Sequence, residues 1–404
     1  MIMNINEVTW QYISGHASDD VAHLALHPSK DPQVDMAVAL QQIAGRQKAK
    51  EKLPEWYATE GVLYPKKVSM EQCSSSQTAE YKASLVEGDS FADFSGGFGV
   101  DTVALARKFD KGWYVEPQEE LCELFQHNCK VLDINNVNII NGTMEDNLAA
   151  IGPVDTIYLD PSRRDTHGRR VVSLADCTPN LPEWKSALLE RCNTLMVKLS
   201  PMIDIFQTLR DLPETYAVHV VAVEGECKEV VFLLTRRDAP WHVSTTDPTI
   251  VAVDINKNKA FRVETTLDTE RTTPPCIATE LGAYLYEPNA AVMKAGIFNA
   301  LSQQFKIEKL AKNTNLFTAN ELHEDFPGRV FRIEAVHEFH PRKTAKELSH
   351  LASASIAVRN FPLTAEELRK TLKIKDGNTC YLFGCTLSGG MKCVIVCEKV
   401  TFNC

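Results

Sequence analysis

Residues 91–104, FADFSGGFGVDTVA, restrict the fold of this chain more than any other stretch. An apolar run ends at Asp93, turns through Gly96, Gly97 and Gly99, and enters the helical pattern TVALARKF. A strand–turn–helix junction of this kind lets backbone N–H groups approach a ligand closely. A dinucleotide fingerprint needs a third glycine where Thr102 stands. Asp93, at the strand end, would repel a pyrophosphate and suits a ligand with a cationic end. A tight βα turn that holds no ligand is the alternative.

From residue 91 to 238 strand and helix patterns alternate. FADFS, GWYVEP, VNIING, DTIYLDP and TLMVKLSP read as strands, and near-continuous apolar runs suit parallel strands covered on both faces. EELCELFQHNCKVL, MEDNLAAI, LPEWKSALLERC and MIDIFQTLRDL read as the helices between them, and HVVAVEGE with KEVVFLLTR reads as a closing pair. The pattern predicts an α/β fold built on a Rossmann-like, seven-stranded sheet. Residues 1–68 read as a helical N-terminal domain and 69–238 as the catalytic domain. Two small α+β domains are expected over 239–325 and 326–404. In the last of these, Thr344-x-x-Glu347 and Thr364-x-x-Glu367 read as capping boxes, each opening a helix. Ser388-Gly389-Gly390 reads as a hairpin turn between two strands. NAAVMKAGIFNALSQQF, in the third domain, reads as one inserted helix. Lys48, Lys50 and Lys52 read as an exposed helix face.

Composition narrows the partners. The 404 residues are 44% hydrophobic and 24% charged, as in soluble globular chains. No window approaches 18 apolar residues and no signal peptide is evident, so a cytoplasmic protein with no membrane partner is expected. The twelve cysteines lack C-x-x-C spacing and read as reduced thiols. The net charge of −10 argues against broad binding to nucleic acid, and no DNA partner is expected. Residues 326–404, however, hold 12 Lys+Arg against 7 Asp+Glu. A basic tail on an acidic body hints at a partner, or is a solvated surface.

The chemistry-bearing residues cluster at strand ends. Glu116 ends the second strand, where an acid can accept both hydroxyls of a ribose. The loop Asn141–Asp146 follows the third strand, where Thr143 or Met144 can face an adenine. The fourth strand ends Asp160-Pro161-Ser162-Arg163-Arg164. Asp160 can accept a hydrogen bond from a substrate N–H and take up positive charge as that nitrogen is alkylated. Pro161 stiffens the turn and leaves neighbouring carbonyls to face substrate. Arg163 and Arg164 read as a phosphate grip, a plane for stacking, or a surface ion pair. Lys198 interrupts the fifth strand near its active end, to orient a substrate acid or to snorkel. Before the first strand, SMEQCSSSQTAEYKAS can fold over the site, with Gln72, Ser75 and Thr78 as candidates, or can cap a helix.

Motif by motif, Asp93 with Gly97 and Gly99 resembles motif I of class I methyltransferases, whose donor is S-adenosylmethionine (SAM). Asp160-Pro161 is similar to motif IV of amino-methylating members, with Ser162 for the second proline and Arg163 for the aromatic that follows. It also resembles RNA 5-methyluridine methyltransferases, but Ser200 stands where their nucleophilic cysteine is expected, which favours direct transfer. DFSGGFGVDT, YVEP, YLDPSRRD and VKLSP, preceded by EQCSSSQTAEYKASL, resemble one bacterial group: class I SAM-dependent methyltransferases with a ferredoxin-like insert and a C-terminal THUMP-like domain. The resemblance implies SAM as methyl donor and no metal. It implies cofactor contacts from Asp93, Ser95, Gly97, Gly99, Asp101, Glu116 and Thr143, and a catalytic set of Asp160, Pro161 and Arg163. It further implies structured RNA, tRNA or rRNA, as substrate, methylated on nitrogen. A non-catalytic RNA- or protein-binding module, or a methyltransferase for a protein or small molecule, are the alternatives.

Overall fold

Short polar side chains start the first helices. Asn6, Asp20 and Asp35 each accept the backbone N–H of the residue three places on, opening α1 (Glu7–Gly15), α2 (Val21–Leu26) and α3 (Met36–Lys52). The structure, a computed structural model, describes residues 5–162, 174, 177–236, 246–256 and 259–402. The chain divides into two units, Met1–Tyr216 with Val231–Thr245, and Ala217–Val230 with Thr246–Cys404. Among the described residues no helix is long and apolar enough to cross a membrane.

In the first unit, α4 (Pro54–Ala58), α5 (Lys67–Gln72) and α6 (Ser76–Ser84) lead to the alternating core. That core runs β1 (Ser90–Asp93), α7 (Val100–Ala106), β2 (Lys111–Glu116), α8 (Glu119–Val131), β3 (Val137–Asn141), α9 (Met144–Ile151), β4 (Val154–Leu159), α10 (Leu181–Leu189), β5 (Cys192–Leu199) and α11 (Ile205–Asp211). The next strands are β6 (Thr215–Val223), β7 (Glu226–Leu234), β8 (Thr249–Ile255) and β9 (Ala260–Thr266). The sheet order is β3-β2-β1-β4-β5-β7-β6-β8-β9, with β1 to β5 parallel. The seven expected strands are therefore joined by two more. TIVAVDI, in the stretch read as the start of the third domain, is buried along nearly its whole length and pairs in parallel with β6. The order reverses around β1, the position where open α/β sheets place their ligands.

The N-terminal helices share a core with the glycine turn. Trp56, Tyr64, Phe98, Val103 and Phe125 are buried in one cluster, and Phe98 lies between Gly97 and Gly99. The Trp56 and Phe98 rings are 4.8 Å apart. Lys52 departs from the exposed face read for it. Its Nζ donates to the carbonyls of Met70 (2.9 Å) and Glu71 (3.0 Å), tying α3 to the end of α5.

The second unit continues with α12 (Leu267–Thr272), β10 (Tyr284–Pro288), α13 (Ala290–Ala295), α14 (Phe298–Phe305), β11 (Glu308–Ala311), β12 (Thr314–Ala319) and β13 (Gly328–Glu338). It ends with α15 (Pro341–Glu347), β14 (Ser353–Arg359), α16 (Ala365–Leu372), β15 (Lys375–Thr386) and β16 (Lys392–Lys399). These strands order as β11-β12-β10-β13-β16-β15-β14. Leu348, Leu368 and Leu372 pack with Leu382 and Val394 in one core, and Leu285, Leu316, Phe331, Phe383 and Ile395 form another. The β15–β16 hairpin turns through Ser388–Gly390, as read. The Thr364–Glu367 capping box is complete. Thr344 instead lies inside α15, because Pro341 sets the first helical turn three residues earlier. The single inserted helix is two, α13 and α14, divided at Gly296.

Candidate active site

Five parallel strands bring their carboxyl ends to one edge, and the acids of the sequence motifs stand there. Asp93 ends β1 and is 1% exposed. Its Oδ2 accepts the Thr102 hydroxyl at 2.6 Å, and its Oδ1 accepts the Ser95 backbone N–H at 2.8 Å and the Ser95 hydroxyl at 3.1 Å. Burial lifts its pKa to about 7, against the pull of these hydrogen bonds. Thr102, which departs from the dinucleotide fingerprint, thus serves the carboxylate. The Ser95 Oγ also accepts the backbone N–H of Asp160 at 2.8 Å, so one hydroxyl joins the ends of β1 and β4.

The three glycines do different work. A side chain at Gly96 would place its Cβ 2.3 Å from the Tyr114 ring, and one at Gly99 would sit 2.1 Å from the Phe125 ring. Both are packing positions. A Cβ at Gly97 would meet only the Ser95 carbonyl, at 3.6 Å. Gly97 therefore borders open space, as a cradle for a ligand requires. Its N–H donates to Glu116 Oε2 at 2.9 Å, and its carbonyl accepts the Tyr114 hydroxyl at 2.7 Å. Glu116, 5% exposed, is further held through Oε1 by the Gln118 backbone and side-chain N–H groups at 3.0 and 3.1 Å. Its Oε2, with one bond accepted, keeps acceptor capacity for a ribose hydroxyl. Thr143 caps α9 by accepting the Asp146 N–H and donates to the Asp146 carboxylate at 2.8 Å. Its hydroxyl is committed locally.

At the end of β4, Asp160 forms an ion pair with Lys198 of β5. Lys198 is 13% exposed, so it is a half-buried partner of Asp160 rather than a snorkelling surface cation. Pro161 is buried, and Ser162 exchanges backbone hydrogen bonds with Thr178 at 2.8 and 3.0 Å. The carbonyl of Ser162, read as one of those that face substrate, thus accepts one backbone hydrogen bond. Arg163 and Arg164 lie outside the described residues.

Asp101, in the first turn of α7, belongs to a buried network that the sequence did not announce. Lys82 Nζ lies 3.1 Å from its carboxylate and 3.0 Å from Ser74 Oγ. Ser74 and Tyr158 donate their hydroxyls to Asp101 Oδ2 at 2.7 and 2.9 Å. Burial alone would raise the Asp101 pKa, but Lys82, Lys198 and the two hydroxyls outweigh it and hold the pKa below the usual carboxylate range. Lys82 itself is 2% exposed. The network fixes the segment 73–84 against α7 and β4. Ser75 and Thr78, read as candidates to cover the site, instead form the cap of α6. One signal could have found Lys82: it shares the buried face of α6 with Thr78, Ala79 and Ala83.

The arrangement offers a cationic ligand a buried carboxylate at Asp93, a hydroxyl acceptor at Glu116 Oε2 and an open cradle at Gly97. Next to it stands an acceptor for a substrate proton at Asp160. A family model described as a ferredoxin-like domain matches residues 284–327, and one described as THUMP domain-like matches 328–399. The crystal structure of a "putative methyltransferase" from Porphyromonas gingivalis W83 is similar over 99% of this chain and 100% of that one, at 31% identity and a TM-score of 0.86. An rRNA methylase from Streptococcus thermophilus aligns with 39% of this chain and 94% of its own, at 15% identity and a TM-score of 0.30. No curated protein matches.

Proposed function

Since the chain belongs to the family of class I methyltransferases with ferredoxin-like and THUMP-like domains, we propose that it uses SAM to methylate a nitrogen of structured RNA, tRNA or rRNA, by direct transfer. The observation that carries this reading is the convergence of Asp93, Glu116 and Asp160 on one glycine turn, with Ser95 bonded to both Asp93 and Asp160. Asp93 balances a ligand's positive charge and Glu116 accepts the ribose. When bound there, SAM supplies an electrophilic methyl group. Asp160 accepts the N–H of the attacking nitrogen, orients its lone pair, and takes the proton released as the N–C bond forms. Lys198 holds Asp160 in place for this. Ser200, where a covalent mechanism would need a cysteine, accepts the Met202 N–H at 3.2 Å.

The RNA substrate rests on the THUMP-like match over 328–399 and on the basic excess of the same region. The reading places the protein in the cytoplasm, and the eleven described cysteines, all free thiols, agree with that.

The test is methyl transfer from labelled SAM to total RNA of a strain lacking the gene, with that strain's protein extract in parallel. Label in RNA is expected, and Asp160→Ala should lower it at least a hundredfold while leaving SAM affinity unchanged. Label in protein would remove RNA from the reading. Retained activity in Asp160→Ala would remove Asp160. SAM binding without label in either fraction would turn the reading toward a non-catalytic module or a small-molecule substrate.

A further inference from the structure

In the second unit, Arg329 and Arg359 share one carboxylate. Glu287 of β10, its side chain 5% exposed, accepts Arg329 Nε at 2.7 Å and Arg329 Nη2 on Oε2, and Arg359 Nη2 at 2.6 Å on Oε1. Two cations on one anion leave one positive charge over. Among the described residues, the other ion pairs of 326–404 leave no such surplus. Arg332 meets two carboxylates, Glu334 and Glu398, and Lys343, Arg369 and Lys370 meet one each. A buried carboxylate needs a cation. Arg359 meets that need, and it joins the end of β14 to β10, which are not neighbours in the sheet. Arg329 instead stands directly across from Glu287 in the β10–β13 ladder, where backbone pairing already holds the strands together. Its charge is the surplus one.

Both guanidinium groups are held in place and still open to solvent. Two nitrogens of Arg329 on one carboxylate fix its plane, and Arg359 Nη1 donates to the Val358 carbonyl at 2.8 Å. Asn360, the next residue, donates its side-chain N–H to Thr314 Oγ1 at 3.2 Å, and its carbonyl accepts the Thr386 hydroxyl. The arginine side chains are nonetheless 47% and 36% exposed, and Arg329 Nη1 donates to no described residue. Much of the entropy that two long side chains would lose on binding is thus lost in advance. We propose that Arg329 and Arg359, set on the buried carboxylate of Glu287, grip one phosphodiester group of an RNA backbone. A planar fork of N–H donors fits the paired oxygens of a phosphate. The single surplus charge matches a phosphodiester monoanion, whereas a phosphomonoester dianion would leave charge unmatched. The acid comes from the ferredoxin-like stretch and both cations from the THUMP-like one, so the grip exists only where the two meet. The choice of RNA rests on the reading above; the grip rests on this geometry.

The experiment measures binding of the full-length protein to total RNA from the strain lacking the gene, over a series of salt concentrations, beside Arg329→Gln and Arg332→Gln. Arg329→Gln should bind RNA roughly fivefold more weakly or worse. Its plot of log affinity against log salt should be shallower by about 0.7–0.9. Arg332→Gln removes the same formal charge from the same strand, but one already neutralised, and should change affinity less than twofold. Arg329→Lys keeps a cation on Glu287 and serves if Arg329→Gln does not fold. It loses the fork, so its salt slope should hold while affinity falls at least twofold. Wild-type affinity in either Arg329 variant would overturn the grip, as would an equal loss in Arg332→Gln. Inorganic phosphate alone should give no heat of binding; binding that Arg329→Gln abolishes would assign the site to free phosphate and overturn the RNA assignment. The methylation reading fails separately. RNA that is bound through Arg329 but never labelled leaves the grip standing and removes RNA as the methylated substrate. An unchanged protein that binds no RNA removes the grip.

Discussion

Asp93 is a carboxylate that burial makes reluctant to ionise, and that reluctance is measurable. Its pKa is raised from the usual 3.8 to about 7, so the folded chain holds this proton more tightly than the unfolded chain does. The stability it contributes is complete below the unfolded value and is lost as pH rises through 7. Three pKa units correspond to about 4 kcal/mol. Denaturant midpoints at pH 5 and pH 8 should therefore differ more in the unchanged protein than in Asp93→Asn; equal differences would refute the assignment. A cationic ligand beside Asp93 favours the ionised form. Binding at pH 6 should then release a proton and tighten toward pH 8, which calorimetry in buffers of different ionisation heat will read. Asp93, Glu116 and Asp160 were legible because acids are conspicuous at the ends of apolar strands. Lys82 and Lys52 were not, because a lysine's burial is decided by partners far along the chain: Asp101 is 19 residues from Lys82, and Met70 is 18 from Lys52.

At the scale of elements, the glycine turn separates two requirements that look alike in sequence. Gly97 and Gly99 both have positive φ, +54° and +85°. Beyond that shared backbone cost, a methyl group at Gly99 collides with the buried Phe125 ring, whereas one at Gly97 enters open space. Gly99→Ala is expected to lower stability by roughly 3 kcal/mol or more, and Gly97→Ala by only about 1 kcal/mol. In calorimetry Gly97→Ala should nonetheless lose SAM binding at least tenfold, and wild-type affinity would remove Gly97 from the cradle. The junction of α6 with α7 invites a second test. Lys82→Met leaves Asp101 without its buried cation, at a cost of about 3–5 kcal/mol. Adding Asp101→Asn should return part of that loss, and a purely additive pair would show that the two charges do not interact. Strands β1 to β5 were legible from their apolar runs. The start of α15 was not, since a proline at the first helical position outweighed a capping pattern three residues later.

Across the whole chain, the basic excess of residues 326–404 is not one open patch. Of the 12 Lys+Arg between 326 and 404, six are in ion pairs: Arg329, Arg332, Lys343, Arg359, Arg369 and Lys370. RNA binding driven by the remainder should weaken with salt, but with a shallow slope. The extent of the large sheet was the part of the fold least legible, because extension by β8 and β9 depends on an edge that only the folded β6 presents. A fragment ending at residue 238 keeps β6 and loses β8, its parallel partner. It should aggregate through that bare edge, whereas a fragment ending at residue 273 should run as a soluble species in size-exclusion chromatography. The opposite order would show that β8 does not protect β6.

The boundary between the units has a consequence for synthesis. The chain leaves the first unit at Tyr216, spends Ala217–Val230 in the second, and returns at Val231. A ribosome emits residues in order, so the methyltransferase half cannot be completed until part of its neighbour has already emerged. That early part then waits, with most of its own unit still untranslated. The first unit is complete at Thr245 while the second still lacks residues 246–404, so a pause in translation shortly after residue 245 would leave that early part without its remaining partners and open to association with other copies.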